Sequence, residues 1–190
     1  MPMITVQKSY PFIPFPLHLK ATVFLQNMSA DIMTLSVFIK NIFMPPQCSV
    51  QAMLLSTALL QSKKEGVNVC QENVVRFRSQ SVDFLKRMRD YLGSDFHMVF
   101  DIKQSIRCGY DPFFVAEEFK KEISHIHISD NSPLADCMPP GKGTFDFKRL
   151  FSLMADSNYQ GGYVIEIYSK GYDVAKELEE SKRFFDKIEL

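Results

Sequence analysis

The sequence has no excess of either charge: Lys and Arg number 22, Asp and Glu number 22, and the formal net charge is +0. Proteins that bind nucleic acid usually carry a basic excess, so we do not expect nucleic acid as a partner. Cysteine is also scarce, and its residues are scattered without a C-x-x-C pair (Cys48, Cys70, Cys108, Cys137). In a chain of 190 residues this spacing indicates reduced thiols and not a disulfide framework.

Long apolar segments are absent as well. No uninterrupted apolar stretch reaches the roughly 20 residues that a membrane-spanning helix needs. The proline-containing start of the chain, MPMITVQKSYPFIPFPLHL, lacks the apolar central region of a secretory signal. We therefore expect a cytoplasmic protein without membrane contact. Its length and its hydrophobic content of 46% predict a single domain over residues 1–190 with a substantial core.

The second half of the chain alternates between strand patterns and helix patterns. The predicted strands are VNVCQEN, HMVFDI, SHIHISD and YVIEIY. The predicted helices cover residues 81–92, 145–159 and about 174–188, with another beginning near Asp111-Pro112. Ser79 and Ser81 are candidate helix caps, and a long polar loop, NSPLADCMPPGKG, follows the third strand. This alternation predicts β-α-β units and a parallel sheet.

The first 66 residues are less regular, and six prolines interrupt them (Pro2, Pro11, Pro14, Pro16, Pro45, Pro46). ITVQKSY and ATVFLQN have strand patterns. DIMTLSVFIKNIF and SVQAMLLSTALLQSKKEG have the apolar spacing of helices. We therefore expect two strands followed by two helices in this stretch.

Four residues with metal-binding side chains lie near the carboxyl ends of the predicted strands: Glu72, Asp101, His127 and Glu166. Carboxyl ends of parallel strands meet at one edge of the sheet, where α/β proteins place their chemistry. Each residue alone has a structural explanation, since a lone acid at a strand end is commonly a helix cap or a surface charge and a lone histidine can be a hydrogen-bonded core residue. Together they favour a divalent-metal site, because carboxylates buried side by side without a cation would have to take up protons.

Five segments occur in the order and spacing of a known family: VNVCQENV, MVFDIKQSIRCGYDP, ISHIHISDN, PPGKGTFDF and GGYVIEIY. Over residues 67–190 the chain resembles the C-terminal half of the xylose-isomerase-like TIM barrels. That superfamily includes sugar-phosphate isomerases and epimerases, ketose 3-epimerases and apurinic endonucleases. The resemblance implies an α/β fold, a TIM-barrel-like (β/α) parallel barrel that is incomplete or abbreviated in its first half.

The resemblance also implies a chemistry. The family's metal ligands are matched by Glu72, Asp101, His127 and Glu166. In the epimerases the metal is usually manganese, and magnesium, cobalt or zinc in others. The cation stabilises an enediolate of a sugar or sugar phosphate, while Glu72 and Glu166 exchange the proton as base and acid. Gln104 and His125 are expected to contact the substrate.

Three features depart from the family's pattern. Its D-x-x-H motif reads D-I-K-Q here, with Gln104 in place of the histidine, and Cys137 or Met138 stands where many relatives carry a histidine before PPGKG. In addition, only 66 residues precede the matching half, too few for four β/α units of about 30 residues each. The chain is then a truncated barrel, a fragment, or an abbreviated barrel completed by a partner chain. An unclosed sheet exposes an edge, which favours a homo-oligomer.

Three functions follow from these expectations. The first is a metal-dependent sugar or sugar-phosphate isomerase or epimerase. The alternative is a catalytically silent, shortened barrel used as a binding or assembly scaffold, which the missing histidines and the short first half favour. A metal-dependent endonuclease comes third, because a three-metal site would need the missing histidines.

Overall fold

The computed structural model describes residues 4–5, 21–27, 33–39, 68–167 and 173–188. The chain forms two compact units. Unit 1 comprises Met1–Val6 and Phe100–Leu190, and unit 2 comprises Gln7–Val99. The single domain over residues 1–190 stays a prediction.

Unit 2 contains the strands β2 (Ala21–Asn27), β3 (Met33–Ile39), β4 (Asn68–Glu72) and the beginning of β5 (Met98–Asp101), and the helix α1 (Val82–Leu92). β2 and β3 are antiparallel, with Asn27 opposite Met33. β3 pairs in parallel with β4, and β4 pairs in parallel with β5, where Glu72 lies opposite Val99. The strand predictions ATVFLQN, VNVCQEN and HMVFDI are confirmed.

The helix predicted within DIMTLSVFIKNIF is wrong over Met33–Ile39, which forms β3. This segment pairs along its whole length with β2 and, through Thr34–Ser36, with β4. Its apolar residues Met33, Leu35, Val37 and Ile39 alternate with a period of two, which is the strand pattern. The helix predicted from SVQAMLLSTALLQSKKEG lies outside the described residues.

Helix α1 begins where its sequence predicts. The Ser81 side chain accepts a hydrogen bond from the backbone N–H of Phe84 at 3.3 Å, and so caps the helix. The other candidate, Ser79, lies in a short 3₁₀ turn and accepts from the backbone N–H of Val74. The helix ends at Gly93, whose φ of 58° suits a residue without a side chain.

Among the residues that the structure describes, unit 1 contains the end of β5 and further strands and helices on both sides of it in the chain. They are β1 (Ile4–Thr5), α2 (Ile102–Arg107), α3 (Pro112–Phe119), β6 (Ile123–Ile128), β7 (Asp130–Ser132), β8 (Ala135–Met138), α4 (Phe147–Asp156), β9 (Gly162–Ile165) and α5 (Val174–Phe185). β9 lies between β1 and β6 and is parallel to both, with Val164 opposite His127 and Tyr163 opposite Ile4. The predicted alternation of strands and helices is thus confirmed.

Three details of unit 1 differ from the sequence-based expectation. α2 was not predicted, and the polar loop NSPLADCMPPGKG contains an antiparallel hairpin, β7–β8. In α3, Asp111 caps the helix as expected. The helical spacing of Phe114, Val115 and Phe119 predicts one buried apolar stripe, but Phe114 is 48% exposed while Val115 and Phe119 are buried. No helix among the residues that the structure describes is long and apolar enough to span a membrane.

The core of unit 1 is packed with aromatic rings. Four apolar residues at helical spacing form the buried face of α4: Phe147, Leu150, Phe151 and Met154. Phe147 meets Phe185 of α5 with the ring centroids 5.2 Å apart and the planes nearly perpendicular. Edge-to-face contacts of this kind stabilise a pair beyond the area that it buries. They hold α4 and α5 together.

The loop that follows β8 is organised by one buried carboxylate. Asp130 Oδ1 accepts hydrogen bonds from the backbone N–H groups of Asn131 (2.8 Å) and Phe145 (2.9 Å), and Oδ2 accepts from those of Gly141 and Gly143 (both 2.9 Å). A Cβ at Gly143 would overlap the Asn131 carbonyl oxygen and the Asp130 carboxylate. The glycines of PPGKG therefore allow the loop to close around Asp130, next to the carboxyl end of β6.

Candidate metal centre

Three of the predicted metal ligands meet in unit 1. We call them the Asp-His-Glu cluster: Asp101, His127 and Glu166. Each offers one ligand atom, and these atoms lie within 4.8 Å of one another. His127 Nδ1 is 2.7 Å from Glu166 Oε2 and 3.6 Å from Asp101 Oδ2. All three side chains are buried.

Strand ends position these side chains. Asp101 is the last residue of β5 and also the N-cap of α2, because its Oδ1 accepts from the Gln104 backbone N–H at 3.1 Å. The other oxygen, Oδ2, belongs to the cluster. Glu166 follows β9 directly, and its N–H donates to the Ile128 carbonyl oxygen at 3.0 Å, one step beyond the paired residues of β6 and β9. The helix-cap explanation thus holds for Asp101, and its role as a metal ligand stays a prediction.

The remaining predicted site residues, Glu72, Gln104 and His125, are all buried. Glu72 is the last residue of β4 in unit 2. Gln104 lies in the first turn of α2. Cys137, which with Met138 was a candidate for the place of the family's histidine, has its Sγ 3.7 Å from the Glu166 carbonyl oxygen. Cysteine is therefore a neighbour of the cluster in this chain.

His125 lies two residues before His127 on β6, and its ring meets the His127 ring edge to face, with the centroids 5.3 Å apart. Burial, together with the neighbouring His127, lowers the pKa of His125 to about 3. Its imidazole is therefore neutral near pH 7. Within the described part of the chain, His125 Nε2 has no hydrogen-bond partner, so this atom is available to a ligand.

The sequence analysis missed one residue of the site, Lys103. This lysine is only 1% exposed, and its ammonium group bonds to Asp101 Oδ2 and, at 2.8 Å, to Glu166 Oε2. Burial alone would lower the pKa of Lys103, but the charges of Asp101 and Glu166 and the hydrogen bonds to both outweigh it and raise this pKa. The ammonium is therefore charged. A lysine two residues after a strand-end aspartate, in D-I-K-Q, was the available signal.

Glu166 is ionised for the corresponding reasons. Burial by itself would raise the pKa of its carboxyl group, but His127 and Lys103 outweigh burial and hold that pKa below its usual range. The cluster and Lys103 together thus combine two carboxylates, one imidazole and one ammonium in a buried site. Two buried anions without such a cation would repel each other and take up protons.

The donor atoms of the cluster fit a divalent cation. Carboxylate oxygens and an imidazole nitrogen are ligands for ions such as zinc or manganese, at about 2.0–2.2 Å. However, Asp101 Oδ2 and Glu166 Oε2 are the same atoms that Lys103 engages. Coordination by both oxygens therefore requires that the Lys103 ammonium move away from them.

Parallel strands followed by helices, with acids and a histidine at the strand ends, are typical of α/β proteins, both barrels and open sheets. The sequence model of the xylose isomerase-like TIM barrel family matches residues 47–188. The chain belongs to this family, and the fold class expected from the sequence is confirmed.

The comparisons with individual proteins agree with this fold. The inosose dehydratase of Bacillus thuringiensis (strain Al Hakam) is 20% identical over 124 residues, which are 55% of this chain and 42% of that protein. The solved 3-keto-D-glucoside 4-epimerase YcjR of E. coli has a TM-score of 0.63 at 18% identity, covering 80% of this chain and 62% of that one. The IOLI protein, solved with a zinc atom, has a TM-score of 0.67 at 12% identity and covers 83% and 62%.

The low identities and the partial coverage limit what can be concluded from these similarities. At such identities, similarity to the solved structures shows the fold alone. The chain spans about two fifths of the length of the curated relative, at 42%, and 62% of each solved chain. Activity and substrate therefore follow as a proposal.

Proposed function

We propose that this chain is a metal-dependent isomerase or epimerase that acts on a sugar or sugar phosphate through an enediolate. The observation that carries the proposal is the Asp-His-Glu cluster, whose ligand atoms lie within 4.8 Å of one another in a barrel-type fold. The names of the inosose dehydratase and of the 3-keto-D-glucoside 4-epimerase describe enzymes that act on cyclic polyhydroxy compounds. They support a sugar-like substrate for this chain.

The cluster residues would hold the divalent ion, with Glu72 as the fourth ligand. Glu72 ends β4, which runs parallel to β5, the strand that carries Asp101. The ion supplies polarisation of the substrate's carbonyl and neighbouring hydroxyl groups. We expect manganese, with magnesium, cobalt or zinc as the alternatives, and the zinc atom in the IOLI protein supports a divalent ion in this fold.

The chain's own side chains carry the proton transfer. Glu166 is ionised, so it can accept a proton from the carbon next to the carbonyl group, while the contacts with His127 and Lys103 that lower its pKa weaken it as a base. Glu72 would return a proton on the opposite face, or exchange roles with Glu166 in the reverse reaction. Neutral His125 offers its Nε2 to a substrate hydroxyl group, and the amide of Gln104 is a second candidate for such a contact.

A deuterium-exchange experiment tests the proposal. The protein is loaded with Mn²⁺ and incubated in D₂O with a panel of ketoses, aldoses and their phosphates, and NMR follows deuterium entering the carbon next to the carbonyl. We expect incorporation with at least one substrate and a loss of about 10²-fold or more in Glu166→Gln, as for removal of a general base. Glu117→Gln, at an exposed acid paired with Lys120, is the matched control and should keep the wild-type rate. A metal-loaded protein that exchanges no proton in any of these sugars would contradict the proposal.

Lys103 favours a second candidate function, a catalytically silent barrel used as a binding or assembly scaffold. Its ammonium group bonds to both carboxylates of the cluster, so the chain itself supplies a cation between them. The scaffold predicts no metal in the purified protein and no proton exchange. A homo-oligomer is part of this candidate, and light scattering on the purified protein measures its size.

A further inference from the structure

The least expected residue at the site is the buried lysine that contacts the Asp-His-Glu cluster. Lys103 is the second residue of α2, and its side chain is as buried as that of Asp101, each being 1% exposed. Lysine is rarely buried to this extent unless it is paired. Here the pairing is with two of the three groups that offer ligand atoms to a metal ion.

The Lys103 ammonium contacts the two carboxylate oxygens that also lie near His127 Nδ1. Lys103 Nζ bonds to Asp101 Oδ2 and lies 2.8 Å from Glu166 Oε2, and the same two oxygens are the ones nearest to His127 Nδ1, at 3.6 and 2.7 Å. The remaining oxygen of Asp101 is used elsewhere, as the cap of α2. Lys103 therefore meets the side of the cluster that an ion would use.

Both cations cannot hold these positions together. An ion about 2.0–2.2 Å from each oxygen would lie within a few ångströms of an ammonium bonded to the same oxygens, in a buried site where charges are weakly screened. The repulsion falls if the ammonium moves away from the two oxygens or gives up a proton. A divalent ion and the Lys103 ammonium thus compete for the same two carboxylates.

We propose that the Lys103 ammonium occupies the position of the divalent ion in the Asp-His-Glu cluster, so that an ion binds only by displacing it. This inference rests on the proposed function for the identity of the ion site, and it adds a built-in competitor. In the absence of an ion, the ammonium holds Asp101 and Glu166 together. The chain therefore binds divalent ions more weakly than the same cluster does without the lysine.

The test compares ion affinity in two lysine variants. Lys103→Met keeps the aliphatic stem and removes the charge, and Lys120→Met does the same at a partly exposed lysine of α3's end that pairs with Glu117. Isothermal titration calorimetry measures Mn²⁺ and Zn²⁺ binding to metal-stripped protein, and thermal unfolding is followed in EDTA and in excess ion. We expect Lys103→Met to bind at least tenfold more tightly than wild type, and Lys120→Met to match wild type.

The unfolding curves provide the second readout. In EDTA, Lys103→Met should melt below wild type, because two buried carboxylates lose their cation, and excess ion should restore its Tm. The wild-type Tm should change much less between EDTA and ion. If Lys103→Met does not fold in EDTA, Lys103→Gln is used, and folding of either variant only in the presence of ion supports the proposal. Variants that fold neither with nor without ion would overturn it, because the ion then does not replace the ammonium.

Failure of this inference and failure of the proposed function give different results. Equal ion affinity of wild type and Lys103→Met overturns the competition, even if the wild-type protein exchanges substrate protons. A tenfold or larger gain in affinity without any proton exchange keeps the competition and rejects the isomerase. No ion binding by either protein overturns the competition.

Discussion

Asp130→Asn is the sharpest test of how the loop beside the cluster is built. The wild-type carboxylate accepts four backbone N–H groups, two on each oxygen, and Asp130 itself is buried. Asparagine has the same shape, but one of its two oxygens becomes an NH₂ group, which donates and cannot accept. Whichever way the amide turns, two N–H groups lose their acceptor, either those of Asn131 and Phe145 or those of Gly141 and Gly143.

The magnitude follows from the number of lost bonds. A buried donor left without an acceptor costs about 1–3 kcal/mol, so two would cost about 2–6 kcal/mol. Because these four N–H groups are only partly buried, water can reach some of them, and we expect the lower end, about 2–3 kcal/mol. For a chain of this size that corresponds to a Tm lower by roughly 4–12 °C.

Urea unfolding followed by circular dichroism, on the metal-stripped protein, measures this loss. Asp146→Asn is the matched control, because exposed Asp146 caps α4 through the Arg149 N–H, and asparagine is an equally good cap. The control should stay within about 0.5 kcal/mol of wild type. If Asp130→Asn also stayed within that range, the four hydrogen bonds would not organise the loop, and the reasoning from Asp130 would be refuted.

Two further predictions concern the same unit. Gly143→Ala should lower the free energy of unfolding by about 3 kcal/mol, because its Cβ would overlap the Asp130 carboxylate. Gly109→Ala is the control: its Cβ would lie in open space, and its φ of 79° should cost only about 1 kcal/mol. Equal losses of the two variants in urea unfolding would contradict the overlap. For His125, the folded pKa of about 3 lies below the unfolded value near 6.5, so its contribution to stability is complete above pH 6.5 and is lost as the pH falls toward 3, by up to about 1.4 kcal/mol per pH unit. His125→Gln should therefore show a flatter dependence of the free energy of unfolding on pH between 6.5 and 5, and identical slopes for the variant and wild type would show that His125 is not held neutral.

The elements of the second half could be predicted because their signals are local. Ser81 and Asp111 cap their helices through side-chain oxygens within three residues, and Asp111 is followed by the proline suited to the first turn. The apolar spacing of α4 matches the face that it buries. Where a short stretch of sequence contains the whole cause of an element, the sequence is sufficient.

The missed elements depend on partners that are distant in the chain or on very short segments. Met33–Ile39 is a strand because it has β2 on one side and β4 on the other, and its alternation was outweighed by a helix-like spacing over a longer window. α2 has six residues and starts directly at the end of β5. The β7–β8 hairpin stands in a polar loop. Its strands pair with each other, and Asp136 of β8 accepts two hydrogen bonds from Arg107 of α2, which is distant in the chain.

The site shows the same division. Strand ends could be found in the sequence, and the rule that parallel strands bring their ends together correctly predicted the meeting of Asp101, His127 and Glu166. The role of Lys103 could not be found this way. The direction of the Lys103 side chain depends on where α2 begins. In D-I-K-Q, the residue at the place of the motif's histidine is Gln104, the neighbour of Lys103.

Asp101 uses its two oxygens for different tasks, and this affects how variants of the cluster are interpreted. One oxygen starts a helix and the other faces an ammonium group, so replacement by alanine removes a piece of the scaffold together with a candidate ligand. An inactive alanine variant would leave the cause undetermined between misfolding and lost chemistry. Asparagine keeps a carbonyl oxygen for the helix start, and it is the substitution that separates architecture from reactivity at this position.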